Sequence, residues 1–133
     1  MSVGLLLITH QNIASHLLET TRKMLNTCPL ATRALEVPLD YPVEKVLTQA
    51  REYIKTLDTG HGVLVLTDIY GATPSNIAKQ ISEDKNYKLV SGLNLPMLVR
   101  ILNYPQLSLE EMALKAVSGG HDGIILCECH KDS

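Results

Sequence analysis

The sequence predicts an α/β domain: a doubly wound, mostly parallel sheet of about five strands with helices on both faces. Three observations lead there. Short aliphatic runs without alternation, such as "VGLLLIT" and "VLVLT", read as strands buried on both faces. Segments with apolar residues at helical spacing lie between them. The resulting order, β-α-β-α-β-α-β-α-α-β, is the alternation that parallel strands joined by right-handed crossovers require.

The elements follow in order. Val3 to Thr9 is the first strand, and Asn12 is a plausible N-cap for a helix carrying Ile13, Leu17, Leu18, Met24 and Leu25. Ala31 to Leu39 is a weaker strand, limited by Pro38. Pro42 suits a first helical position, and Val43, Val46, Leu47, Ala50, Ile54 and Leu57 then keep one helix face apolar until "GHG" at Gly60 to Gly62. Val63 to Thr67 is the clearest strand. In "DIYGATPSNIAKQIS", Thr73 is the expected N-cap and Pro74 the first helical residue, with Ile77, Ala78 and Ile81 facing inward. "YKLVSG" is a short strand, and "NLPMLVRILN" a short helix opened by Pro96. Ser108 and Glu111 have capping-box spacing ahead of "MALKAV"; "SGGHDG" is expected to end that helix, and "GIILCEC" to form the last strand. No linker, repeat or low-complexity stretch interrupts the chain, which reads as a single domain over residues 1–133.

Composition narrows the function. With 133 residues and 45% hydrophobic content the chain can bury one core, and with five Tyr but no Trp or Phe that core is aliphatic. A net charge of -2 without a basic block argues against nucleic acid or an anionic membrane as the main partner. No stretch approaches the ~18 apolar residues of a membrane span, so no direct membrane insertion is expected. The start has neither a positive n-region nor a cleavage site. Three cysteines without framework spacing fit a reduced, cytoplasmic setting.

In open α/β sheets, ligands bind beyond the carboxyl ends of the strands, where the strand order reverses. If the order begins 2-1-3, the first and third strands flank that point, and they end as "LLLIT" then His10, and "VLVLT" then Asp68. Neighbouring strands lie ~4.8 Å apart, which brings the two side chains within reach. A carboxylate on one imidazole nitrogen fixes the tautomer and leaves the other as a nucleophile. Gly71, Ala72 and Thr73, at a helix amino end, offer backbone N–H groups to an anion. Together these suggest a phosphoryl group carried on histidine. Without a Gly-x-x-x-x-Gly-Lys loop or an acidic cluster for Mg²⁺, a P-loop NTPase is disfavoured. The spacing leaves open a nucleotide- or sugar-phosphate-binding domain that uses the same helix end without covalent chemistry. His16 reads as a helix-surface residue, and His61 and His121 as solvated residues of glycine-rich turns. Cys127, Cys129 and His130 make a poor zinc set, so neither metal nor cofactor is expected.

With these residues in hand, the chain resembles the enzyme IIA domain of the mannose family of the bacterial phosphoenolpyruvate-dependent sugar phosphotransferase system. "GLLLITH", "VLVLTDIYGATPSN", "VSGLNLPML" and "GIILCE" carry the resemblance, in the family's order over nearly the whole chain. It implies that His10 is phosphorylated on Nε2, that Asp68 is its partner, that Thr73 faces the phosphate, and that Asn94 and Pro96 wall the site. It implies HPr as phosphoryl donor and an enzyme IIB, expected as a separate protein, as acceptor. It also implies a homodimer in which the last strand crosses to the partner's sheet. An alternative of the same fold is a regulatory domain whose phosphorylation state is read by a non-transport partner. Gln11 stands where this family often has Gly, Ile69-Tyr70 where Leu-Phe is usual, and Ser75 where Phe is frequent.

Overall fold

The structure, a computed structural model, describes residues 2–81 and 86–128. Its elements are β1 (Gly4–His10), α1 (Ala14–Leu25), β2 (Thr32–Val37), α2 (Val43–Leu57), β3 (Val63–Thr67), α3 (Thr73–Ile81), β4 (Tyr87–Ser91), α4 (Leu95–Leu102) and α5 (Leu109–Asp122). The strands form one parallel sheet in the order β2-β1-β3-β4. β1 and β3 are therefore central neighbours, and the order reverses between them.

The unbroken aliphatic runs have a direct cause. Along β1, Leu5 and Leu7 enter one core while Leu6 and Ile8 enter the other; along β3, Leu64 and Leu66 oppose Val63 and Val65 in the same way. The first core is closed by α1, α4 and α5 through Leu18, Leu98, Ile101 and Met112, and the second by α2 and α3 through Val46, Ile54, Leu57 and Ile77. Each fully buried aliphatic side chain is worth roughly 1.5–3 kcal/mol, so the central strands anchor both faces and hold the two strand ends rigidly at one edge.

Several boundaries differ from the sequence reading. Asn12 does not cap α1: its φ of 71° puts it in the left-handed region, the cap position falls on Ile13, and the Ala14 N–H donates to Thr9 Oγ1 at 3.0 Å instead. α3 starts one residue early, because the Ala72 carbonyl accepts the first helical bond from Asn76 at 3.0 Å. Thr73 is thus its first helical residue and Pro74 its second. The Ser108–Glu111 capping box forms as the spacing predicts.

The glycines of "SGGHDG" do not break α5, which runs on to Asp122 and includes His121. They let it press against α4: a Cβ on Gly119 would lie 2.6 Å from Arg100 Cβ, and one on Gly120 3.1 Å from Met97 Cε. The roughly 1 kcal/mol that a helical glycine costs against alanine is the consequence of that close approach. The contact is closed by Arg100 Nη1 donating to Asp122 Oδ2 at 3.3 Å.

The expected fifth strand is not present among the described residues. Residues 124–128 form no ladder, and Ile124, Ile125 and Leu126 are 76%, 71% and 86% exposed. Cys129 and His130, from the same stretch, lie outside the described residues. An apolar run marks a segment suited to burial; it does not say which strand covers it, and β4 has no second neighbour among the described residues.

Candidate functional site

β1 ends on His10, and Asp68 follows the last residue of β3. Because these strands are neighbours, the two meet across the strand ends. His10 Nδ1 donates to Asp68 Oδ2 at 2.8 Å, and the His10 backbone N–H donates to the same oxygen at 3.0 Å. Asp68 Oδ1 accepts from the Ile69 N–H at 3.1 Å. The carboxylate is thereby fixed in orientation, and it fixes the ring. His10 Nε2 has no hydrogen-bond partner among the described residues. The His10 side chain is 37% exposed and that of Asp68 9%, so the imidazole is partly open to solvent while the carboxylate that orients it is largely covered.

Burial pushes the Asp68 carboxyl upward, but the backbone N–H of His10, its ring hydrogen bond and its charge together outweigh this and hold the group below the usual carboxylate range. Stability from a carboxyl lowered in this way is present above the unfolded-state value and is lost as pH falls through the folded-state value.

The threonine that precedes each titratable residue is fully buried and structural. Thr9 Oγ1 donates to the His10 carbonyl at 2.8 Å while accepting from Ala14, which ties β1 to α1. Thr67 Oγ1 and Ser91 Oγ are 2.8 Å apart and tie β3 to β4.

Gly71 has φ of 86°, a turn that positions the start of α3 and that a side chain would strain. After it, Ala72 contributes its carbonyl to the helix, and the backbone N–H groups of Thr73 and Ser75 have no acceptor among the described residues. Thr73 and Pro74 line a cleft of about 150 Å³ with His10, Val37, Pro38, Tyr41 and neighbouring residues of the β2–α2 loop. His10, Asp68 and Thr73 are thus brought together.

Asn94 and Pro96 are not among the residues lining this cleft. Asn94 caps α4, its Oδ1 accepting from the Met97 N–H at 2.9 Å, and its Nδ2 donates to the Gly120 carbonyl at 3.2 Å. Pro96 abuts Gly123, where an added Cβ would collide with the Pro96 ring. His16 is exposed and donates from Nδ1 to the Asn12 carbonyl, and His61 is exposed.

Two features near the site have contacts that the sequence reading did not assign, although it noted Ser75 as a departure from the family. Glu36 of β2 accepts from the Ser15 backbone N–H at 3.0 Å and from the Ser15 hydroxyl at 2.7 Å, at the amino end of α1. Its carboxyl, pushed upward by burial, is held below the usual range overall by the backbone and hydroxyl of Ser15, with smaller contributions from the Asn12 backbone and His16. The other is Ser75, whose hydroxyl is fully buried without a partner among the described residues. An unpaired buried hydroxyl costs about 1–3 kcal/mol, so Ser75→Ala is expected to leave the thermal midpoint unchanged or raise it. A midpoint lowered by more than a few degrees would show that the hydroxyl is paired.

The family model described as "PTS system fructose IIA component" matches residues 4–117. The mannose-specific EIIAB component of Escherichia coli K12 is 32% identical over 127 residues, covering 93% of this chain and 39% of its own length. The chain thus spans well under half of that relative. The fructose-specific EIIA component of Bacillus subtilis is 34% identical over 80 residues, 57% of this chain and 55% of its own. Among solved structures, the mannose/sorbose-specific IIA subunit from Enterococcus faecalis superposes with a TM-score of 0.86 over 98% of both chains at 22% identity, a likeness of fold.

Proposed function

The chain belongs to the phosphotransferase-system IIA family of the mannose and fructose type, and from that premise we propose that it carries a phosphoryl group on Nε2 of His10. It takes this group from HPr and passes it to an enzyme IIB, and it works in the cytoplasm. No helix among the described residues is long and apolar enough to cross a membrane.

One observation carries the reading: the 2.8 Å bond from His10 Nδ1 to Asp68 leaves Nε2 with a free lone pair on a residue that lines the cleft. In the forward step that lone pair forms a bond to phosphorus as the bond to the donor breaks, its electron pair leaving with the donor. Nδ1 keeps its proton, and the positive charge that develops on the ring faces the Asp68 carboxylate. Phosphoryl oxygens accept from the Thr73 and Ser75 N–H groups and the Thr73 hydroxyl at the positive end of α3, with Gly71 and Ala72 shaping the approach. Typical sites for larger small molecules start near roughly 300 Å³, so this cleft of about 150 Å³ suits a phosphoryl group better than a nucleotide.

Mass spectrometry after incubation with phosphoenolpyruvate, enzyme I and HPr tests the reading. A single added phosphoryl group, labile in acid and stable in base, is expected; no added mass overturns it.

A second reading has its own support. The transcriptional regulatory protein LevR of Bacillus subtilis is 29% identical over 111 residues, 80% of this chain and 12% of its own length. In that role the phosphorylated domain is an input to a non-transport partner. Transfer of the label from His10 to an enzyme IIB favours the carrier, and retention with every IIB of the same cell favours the regulator.

The reading includes a homodimer. Ile124, Ile125 and Leu126 stand exposed, Ile124 lines a groove with Val90, Ser91, Asn94, Met97 and Val117, and β4 has no second neighbour among the described residues. An uncovered apolar segment next to an open sheet edge promotes association, and a reciprocal exchange of the last segment covers both at once. The full chain is expected to sediment as a dimer at micromolar concentration, and a chain lacking residues 122–133 as a monomer of low solubility. A monomeric full chain overturns the dimer.

A further inference from the structure

Two helices begin at the strand ends that hold His10 and Asp68, and their amino ends are not equivalent. That of α3 presents the free N–H groups of Thr73 and Ser75. That of α1, which starts four residues after His10, is already occupied. Thr9 Oγ1 accepts from Ala14, and the Glu36 carboxylate accepts from Ser15 twice, through backbone and hydroxyl. Glu36 comes from β2, where it pairs in register with Thr9, the residue before His10. An anion is therefore built into α1 where the helix would otherwise attract one.

We propose that Glu36 is a positioning residue for phosphoryl transfer: its carboxylate plugs the amino end of α1, so that the oxygens of the phosphoryl group on His10 are received by α3 alone. The inference rests on the reading of His10 as the phosphoryl carrier. Its physical content is twofold. A phosphoryl dianion near α1 meets a carboxylate in place of open N–H groups, and like charges oppose its settling there. The turn from His10 to Ile13 is held from both ends, by the Ile13 N–H on the His10 carbonyl at 3.4 Å and by Glu36 on Ser15. With Asn12 in the left-handed region, that turn has little strain-free freedom of its own. Loss of Glu36 frees the turn and opens a competing anion site at the amino end of α1.

The test titrates inorganic phosphate into the wild type and Glu36→Ala while backbone amides are followed by NMR. In the wild type the Thr73 and Ser75 amides are expected to shift and the Ser15 amide to stay. In Glu36→Ala the Ser15 amide is expected to shift as well. Glu36→Gln, which keeps an acceptor oxygen but not the charge, falls between them and carries the same test where the alanine variant does not fold. The same amide pattern in wild type and variant overturns the proposal. In phosphoryl uptake from phosphorylated HPr, Glu36→Ala should lose about tenfold in kcat with KM changed by less than about twofold, since misplacement acts on the reacting geometry. A change in KM alone assigns Glu36 to the docking face and overturns the positioning role. A wild type that takes no phosphoryl group defeats the carrier reading, whereas the amide shifts still decide the plug.

Discussion

The His10→Ala protein will take up no phosphoryl group under conditions in which the wild-type chain takes up one. His10 lines one cleft with Thr73 and Pro74 of α3, and its ring is held by a carboxylate that has both oxygens engaged. The other described histidines lack that setting: His16 is bonded to the Asn12 carbonyl, and His61 and His121 are exposed without a carboxylate partner. The variant should fold. The His10 ring is partly exposed, the Thr9 and backbone contacts that shape the strand end remain, and Asp68 keeps the N–H groups of residues 10 and 69. The lost ring hydrogen bond is worth about 1 kcal/mol, discounted for solvent. A well-folded variant with wild-type labelling would remove His10 as the carrier.

The pair at the centre of the site was legible because its placement depends on little. Two aliphatic runs, each ending in a polar residue, are buried strands almost whatever surrounds them, and adjacency of the first and third strands brings His10 to Asp68. Thr73 was legible as a helix start to within one residue. Glu36 was not, because its role requires the β1–β2 register and a helix that begins at Ala14 rather than after Asn12. The α5 glycines misled for a related reason: in sequence a glycine pair signals a break, and only the nearness of Arg100 and Met97 reveals that it marks a helix contact. The last segment shows the same limit. "GIILCEC" has strand composition, but pairing is a property of the neighbour, and along the free edge of β4 the chain provides none among the described residues.

Asp68→Asn will still be labelled on His10, but more slowly, by about 10²-fold or more, the scale of a positioned acid–base partner. The amide keeps the shape of the side chain and loses two things. One is the negative charge that steadies the ring as positive charge develops on it. The other is certainty of tautomer: an amide can accept from Nδ1–H or donate to a bare Nδ1, and in the second case Nε2 carries the proton and cannot attack. Stability supplies an independent check. The Asp68 carboxyl is held below its usual range by its bonds to His10, whereas the amide that replaces it in the variant does not titrate. The wild type should therefore exceed the variant in stability at neutral pH, and the difference should shrink as pH falls through the lowered Asp68 value. Denaturant melts across that range measure it. A difference independent of pH would mean that the charge of Asp68 does not serve the pair, and phosphate recovered on residue 68 of the wild type would reverse the two roles.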